Sequence, residues 1–149
     1  MTIVQINFKK LDSRAVIPQY ETRGSAGLDL RIILDGEEKP LKVGEIGLFG
    51  TGLAVSLPEG YEAQIRSRSG LSLKNGVIVL NSPGTIDSDY RGEIKIIMLN
   101  CGQEDFVVKN GMRLAQMVIA KYEKAEITVV SSLPPTNRED GGFGSTGIL

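Results

Sequence analysis

The sequence predicts an all-β domain built as a sandwich, a jelly roll or a closed barrel, with at most one short helix. About ten short runs are rich in apolar residues, and several have the period of two that is typical of half-buried strands. Gly, Pro, Asn and Asp interrupt these runs at short intervals, and no long segment has the roughly 3.6-residue period of an amphipathic helix. At 149 residues the chain is long enough for one domain with an ordinary hydrophobic core.

The predicted strands succeed one another from the N-terminus to residue 130. In the second of them the side chains of Leu28 and Leu30 share one face, so Asp29 lies on the opposite face. The predicted strands are, in order, Val4 to Phe8, Leu28 to Ile32, Leu53 to Leu57, Tyr61 to Ile65, Val77 to Leu80, Ile94 to Leu99, Phe106 to Val108, Leu114 to Ala120 and Ile127 to Val130.

One short helix and a C-terminal arm complete the predicted architecture. The helix has Ser69 as its N-cap residue and stops at Asn75-Gly76, because glycine readily adopts the left-handed conformation that ends a helix. After Val130 the composition turns to Ser, Pro, Gly and charged residues, with too little apolar content to fold alone. We therefore expect a single domain over residues 1–130 and a flexible arm over residues 131–149.

The composition excludes several classes of chemistry and partner. The chain has no histidine and one cysteine, which excludes catalytic triads with histidine, histidine-ligated zinc and cysteine-rich metal sites. With 17 basic and 18 acidic residues it lacks the basic surplus of a nucleic-acid-binding protein, so we expect no nucleic-acid partner. No apolar run approaches the roughly 20 residues of a membrane helix, and the N-terminus does not resemble a targeting segment. We expect a soluble, cytoplasmic protein without a membrane partner.

The segment from Asn81 to Glu93 holds the densest group of functional side chains. A Pro-Gly turn precedes two carboxylates, Asp87 and Asp89, which are followed by Tyr90 and an arginine. An ionised aspartate in a cleft can act as a general base or as a ligand of a hard metal ion. Taken alone, such a segment is more typical of a solvated polar loop between two strands.

The segment from Arg66 to Ser72 alternates arginine and serine before a glycine that opens a helical turn. Guanidinium forks, hydroxyls and free N–H groups are the chemistry of phosphate binding. An exposed strand end with arginines for solubility fits the segment equally well. The Gly-x-x-x-x-Gly-Lys-Ser/Thr pattern is absent, which excludes a P-loop.

The C-terminal arm places one aromatic ring, Phe143, among glycines, with Arg138 and two hydroxyl residues nearby. An isolated glycine-rich terminus is more typical of disorder. The combination nevertheless suits a lid, in which the ring stacks on a base while N–H, hydroxyl and guanidinium groups bind phosphates.

Taken together, five segments resemble the five ordered motifs of the trimeric dUTP pyrophosphatases (dUTPases). These segments are Ala26 to Leu30, Arg68 to Leu71, Gly84 to Gly92, Gly111 to Gln116 and Arg138 to Gly147. Each motif is short, but five in the family order are highly specific. The resemblance implies a distorted jelly roll and an enzyme that hydrolyses dUTP to dUMP and pyrophosphate, which keeps uracil out of DNA and supplies dUMP for dTMP synthesis.

The resemblance also implies a role for each matching residue. Asp87 matches the general base that activates the water attacking the α-phosphorus, and Gln116 matches a glutamine beside that water. Mg²⁺ is expected on the phosphates, with Asp29 reaching it through a water. Uracil is matched by Asn81 and by the main chain around Thr85, Ile86 and Lys95, and deoxyribose by Tyr90. The phosphates are matched by Arg68, Ser69 and Gly70. The closing arm is matched by Arg138, Phe143, Gly144, Ser145 and Thr146.

The family implied by these motifs forms homotrimers whose sites are shared between chains. Motifs one, two and four come from one chain, motif three from a second and the arm from a third. This sequence departs from the family pattern at Glu139 and Asp140, which put two negative charges where many members have glycine after the motif-five arginine, and at Arg66, which has no assigned role. Two alternatives stay open: a relative of dCTP deaminase and a binding protein that senses nucleotides without turning them over.

Overall fold

Eleven antiparallel strands and one short helix form the part of the chain described by the computed structural model, residues 3–142. The all-β prediction is confirmed. The elements are β1 Asn7–Lys10, β2 Gly27–Arg31, β3 Glu38–Leu41, β4 Ile46–Gly50, β5 Leu53–Ser56, β6 Tyr61–Ser67, α1 Ser69–Asn75, β7 Val77–Val79, β8 Gly84–Ile86, β9 Lys95–Asn100, β10 Phe106–Lys109 and β11 Arg113–Lys121.

Two larger sheets and two strand pairs enclose a single core. One sheet has four strands in the order β2-β11-β6-β8, the other has three in the order β4-β9-β7, and β1 pairs with β5 and β3 with β10. Alternate residues of these strands point inward, and Leu30, Phe49, Ile96 and Met117 are buried almost completely. Since β6 leads through α1 into β7, this helix joins the two larger sheets at one end of the molecule.

The register of the four-stranded sheet brings distant motifs together. Gln116 of β11 lies directly opposite Asp29 of β2 on one side and opposite Arg66 of β6 on the other. Because directly opposed residues project from the same face of a sheet, these three side chains share a face. The pairing of the strands alone therefore places motifs one and four and the end of β6 next to one another.

The three-stranded sheet is apolar on both of its faces. The outer apolar face consists of Ile46, Leu48, Ile78, Leu80, Ile97 and Leu99. In this sheet Ile46 and Leu48 of β4 lie opposite Leu99 and Ile97 of β9, and they are 59% and 57% exposed. A contiguous apolar face of this kind is typical of a surface that contacts another chain.

The structure corrects several sequence predictions. The predicted strand Val4 to Phe8 is found at Asn7–Lys10, and β3, β4 and β8 were not predicted. Ile127 to Val130 forms no strand: Ile127 and Val129 are 89% and 94% exposed, and no strand of residues 3–142 pairs with this segment. The helix is confirmed and ends at Gly76, whose φ is 66°, but Arg68 occupies the N-cap position without a side-chain cap.

Candidate active site

A pocket of about 370 Å³ opens where β2, β11 and the end of β6 meet α1. Its walls bring together residues of motifs one, two and four, which are far apart in the sequence. The residues that line it are Asp29, Arg68, Ser69, Gly70, Leu71, Lys74, Asn75 and Gln116. Five of these eight, all except Leu71, Lys74 and Asn75, are predicted site residues.

The carboxylate of Asp29 is held by two arginines. Arg68 donates from Nε to Oδ1 at 3.1 Å and from Nη2 to Oδ2 at 3.2 Å, and Arg113 donates from Nη1 to Oδ2 at 3.0 Å. The Asp29 side chain is only 17% exposed, so these pairs are partly shielded from water. A two-pronged arrangement fixes the guanidinium plane of Arg68 as well as its position.

Main-chain contacts complete this arrangement. Arg68 Nη1 donates to the main-chain oxygen of Arg113 at 3.0 Å, and Gln116 Nε2 donates to that of Ser67 at 3.0 Å. The Gln116 amide oxygen lies directly over Gly27, where the Cβ of any other residue would overlap it. Gly27 therefore provides the space that lets the Gln116 side chain lie along the sheet.

The pocket does not contain the ligands for a protein-held metal ion. Among residues 3–142 no three carboxylate, histidine or cysteine side chains form a cluster able to hold a cation, and Asp29 is the one carboxylate among the lining residues. Mg²⁺ commonly keeps several waters and binds through one or two carboxylates together with substrate phosphates. The residues present fit that mode of binding, with Asp29 as the protein contribution.

The residues predicted to bind uracil and deoxyribose, and the predicted general base, lie between β7 and the start of β9. Thr85 and Ile86 belong to β8, and Lys95 begins β9. The end of this loop that leads into β9 is fixed, because Glu93 Oε1 accepts a hydrogen bond from the main-chain N–H of Gly52 at 2.9 Å. The Tyr90 hydroxyl donates to the Glu93 carbonyl at 3.1 Å.

Asp87 and Asn81 are exposed on the same loop, outside the pocket. Ile86 is paired with Ala63 and Gln116 with Arg66 on the two sides of β6. With about 4.8 Å between strands and 3.3 Å per residue, the Cα atoms of Ile86 and Gln116 are about 14 Å apart. Beyond Ile86 the chain runs further from Gln116, because Gly84 is paired with Ile65 and Ile86 with Ala63. Asp87 therefore does not lie beside Gln116 within one copy.

The arm residues fall into two groups. Phe143, Gly144, Ser145 and Thr146 lie outside the described residues. Arg138 is described, and its Nε donates to the carbonyl of Gly141 at 2.7 Å. Next to it, Glu139 Oε1 accepts a hydrogen bond from the Thr136 N–H at 2.8 Å, while the Glu139 N–H donates to Thr136 Oγ1 at 3.0 Å. The Glu139 carboxylate is thus bound by its own turn.

Sequence reasoning missed three residues of this region. Lys74 and Asn75 line the pocket because they lie one helical turn after Gly70 and Leu71, a spacing of four that could have identified them. Arg113 lies within motif four, but its contact with Asp29 depends on strand pairing. Arg66, which had no assigned role, donates from Nε to Gln64 Oε1 at 3.2 Å and does not line the pocket.

Comparisons with known proteins show the family and the fold of the chain. A family model described as dUTPase matches residues 13–147. Deoxyuridine 5'-triphosphate nucleotidohydrolases of Rickettsia felis and Rickettsia prowazekii are 55% and 52% identical to the chain, over 99% of its length and 100% of theirs. The structure of Staphylococcus bacteriophage 80alpha dUTPase with dUPNHPP has a TM-score of 0.86 at 26% identity, covering 97% of this chain and 99% of that one. The fold is a jelly roll, as expected, and the chain belongs to the dUTPase family.

Proposed function

We propose that this protein is a dUTP diphosphatase that hydrolyses dUTP to dUMP and pyrophosphate. The observation that carries the proposal is the pocket in which Asp29, Arg68 and Gln116 converge with Ser69 and Gly70. Close relatives over the whole chain are named for this activity. In the cell the reaction keeps uracil out of DNA and supplies dUMP for dTMP synthesis.

The chemical step is an in-line attack of water on the α-phosphorus. Asp87 accepts the proton of the attacking water, and Gln116 orients that water and the α-phosphate through its amide. Arg68, Ser69 and the Gly70 N–H hold the phosphate chain, so that the chain is in position before attack. Positioning and charge stabilisation, without a covalent intermediate, suffice for a protein that has no histidine.

A complete site requires more than one copy of the chain. Since Asp87 lies well away from Gln116 within one chain, a second copy supplies it to the pocket. The outer apolar face supports such assembly, because it would be buried against another copy. Its residue Leu80 directly precedes Asn81, so the assembling sheet and the loop with Asp87 are continuous. We propose a homotrimer with sites shared between subunits.

Base and sugar are selected by the loop between β7 and β9. The Asn81 amide and the main chain around Thr85, Ile86 and Lys95 pair with the edge of uracil, which excludes cytosine by its donor pattern and thymine by its methyl group. Tyr90 packs beneath the deoxyribose and leaves no room for a 2′-hydroxyl. Arg138 and the arm residues Phe143, Gly144, Ser145 and Thr146 close over the nucleotide, with the arm extending from residue 131.

Mg²⁺ would be held mainly by the phosphates of the nucleotide, with Asp29 as the residue that would contact it through a water molecule. It would neutralise part of the phosphate charge. The hydrogen bonds from the two arginines hold the Asp29 carboxylate in place. The protein would orient the phosphates, and phosphate oxygens and water would supply most of the ligands of the metal ion.

The test is the release of pyrophosphate from dUTP, dCTP, dTTP and UTP by the wild type and by Asp87→Asn. We expect turnover of dUTP at least about 100-fold above the other three, and loss of about 100-fold or more of kcat in the folded variant. Wild-type kcat in the variant would show that Asp87 is not the base. Ammonia release from dCTP would indicate a deaminase, and tight binding of dUpNHpp without turnover of dUTP would indicate a nucleotide sensor.

A further inference from the structure

One face of α1 forms a wall of the active-site pocket. Gly70 and Lys74 lie four residues apart on this face, as do Leu71 and Asn75, and all four line the pocket. An α-helix rises about 1.5 Å per residue, so Lys74 lies about 6 Å beyond Gly70 along the wall. A phosphate chain that begins at Arg68 and Ser69 therefore has a continuous surface towards Lys74.

Arg68, the second basic residue that lines this pocket, already donates hydrogen bonds to other groups of the protein. Arg68 uses three of its N–H donors on Asp29 and on the Arg113 carbonyl. Within residues 3–142 no carboxylate oxygen lies within 4.0 Å of Lys74 Nζ, and the side chain is exposed. Lys74 thus contributes to the pocket a positive charge that forms no ion pair within the described residues.

We propose that Lys74 binds the phosphate chain of the nucleotide, beyond the phosphate held by Arg68, Ser69 and Gly70, and thereby favours triphosphates over monophosphates. The inference rests on the proposed function, since it names a further residue of the same site. A lysine suits this place because its ammonium is a point charge on a flexible stem, which can follow a phosphate that moves during closure of the arm.

A purely structural role for Lys74 predicts different behaviour. As a basic residue in the last turn of α1, it also interacts favourably with the helix C-terminus. That interaction would change the stability of the protein and would not depend on the number of phosphates in the ligand. The affinities for tri- and monophosphate therefore separate the two roles.

The experiment compares wild type, Lys74→Gln and Lys74→Arg, with Lys9→Gln as a control that removes the same charge from an exposed position on β1. At low salt we expect Lys74→Gln to raise the KM for dUTP and the Kd for dUpNHpp about tenfold, with kcat changed less than about threefold. The effect should shrink at high salt. For Lys74→Arg, the KM for dUTP and the Kd for dUpNHpp should stay within about threefold of the wild-type values. The inhibition constant of dUMP should stay within about threefold in all variants.

Each other outcome is decisive. Suppose that the wild type hydrolyses dUTP. If Lys74→Gln then has the wild-type KM at every salt concentration, or if it weakens the binding of dUMP as much as that of dUpNHpp, the role of Lys74 is refuted and the proposed function stands. An equal rise in KM for Lys9→Gln also refutes it, since overall charge would then be the cause. A wild type that neither binds dUpNHpp nor hydrolyses dUTP refutes the proposed function itself.

Discussion

Asp29 and Arg68 form a two-pronged ion pair at 3.1 and 3.2 Å that joins motif one to motif two across the four-stranded sheet. In the proposed function the pair orients a guanidinium for the phosphates and holds the carboxylate that would face the metal ion. The one contact would then serve both the substrate and the metal ion. Because it is partly shielded from water, its removal has measurable consequences.

Asp29→Asn should reduce both stability and activity. The variant leaves Arg68 and Arg113 without their shared acid, so we expect the free energy of unfolding to fall by about 1 to 3 kcal/mol and kcat/KM for dUTP by at least about tenfold. Urea unfolding and steady-state kinetics measure the two effects. Glu21→Gln is the matched control: Glu21 contacts the same Arg113 at 3.3 Å but is 61% exposed, and its loss should cost less than about 0.5 kcal/mol. Equal losses in the two variants would contradict this account.

Gly27→Ala should act through Gln116. The added methyl group overlaps the Gln116 amide oxygen and displaces that side chain, while the backbone of Gly27 is outside the left-handed region and accepts alanine. We expect kcat to fall about tenfold or more in a folded protein. In a Gln116→Ala background the same change should have almost no further effect on kcat, which a double-mutant cycle measures. Additive losses would show that Gly27 acts independently of Gln116.

Mixed trimers should recover activity from two inactive variants. Arg68→Ala destroys one part of the site and Asp87→Asn another, so a site is intact only where the two contributions come from different chains. Random assembly at a one-to-one ratio yields about a quarter of the sites intact, and we expect about a quarter of wild-type activity after joint refolding. Variants mixed without refolding are the control. No recovery after proven exchange of subunits would place both residues in the same chain's site.

Leu48→Glu should prevent assembly. Leu48 is 57% exposed on β4, an edge strand of the outer apolar face, and a carboxylate there would be costly to bury against another copy. We expect a smaller species in sedimentation experiments, together with loss of dUTP turnover because Asp87 no longer reaches a pocket. Val107→Glu, at a residue of β10 that is 41% exposed, should leave assembly intact. A fully assembled Leu48→Glu protein would show that this face is not the interface.

Acid should remove one local contribution to stability. The hydrogen-bonded Arg14 guanidinium lowers the pKa of the Asp12 carboxyl from 3.8 to about 2. A lowered pKa stabilises the fold above the unfolded-state value, and this contribution is lost as pH falls from about 4 to about 2. We therefore expect Asp12→Asn to be less stable than wild type at pH 6 and equally stable near pH 2 in urea titrations. Asp35→Asn is the control: it removes a fully exposed carboxylate 3.6 Å from the same Arg14, and at pH 6 it should lower the stability less than Asp12→Asn does.

The local pattern of the sequence was sufficient for the class of fold and for most of its strands. Alternating apolar residues predicted β2, β5, β6, β9 and β11 to within a few residues, and Gly76 marked the end of α1 as predicted. Such signals are local, since they depend on the faces of one strand or the termini of one helix. Strands β3 and β8 were missed because the first is mostly exposed and the second has only three residues.

The candidate site residues Asp29, Arg68, Asp87 and Gln116 were also predicted from the sequence, through the five motifs. The residues that contact them were not. Arg113 and Asp29 are 84 residues apart and meet only because β11 pairs with β2 in one register. The separation of Asp87 from the pocket depends equally on non-local pairing, which a pattern along one strand does not specify. The sequence thus predicted which side chains carry the chemistry, and the tertiary structure determined which of them meet within one chain.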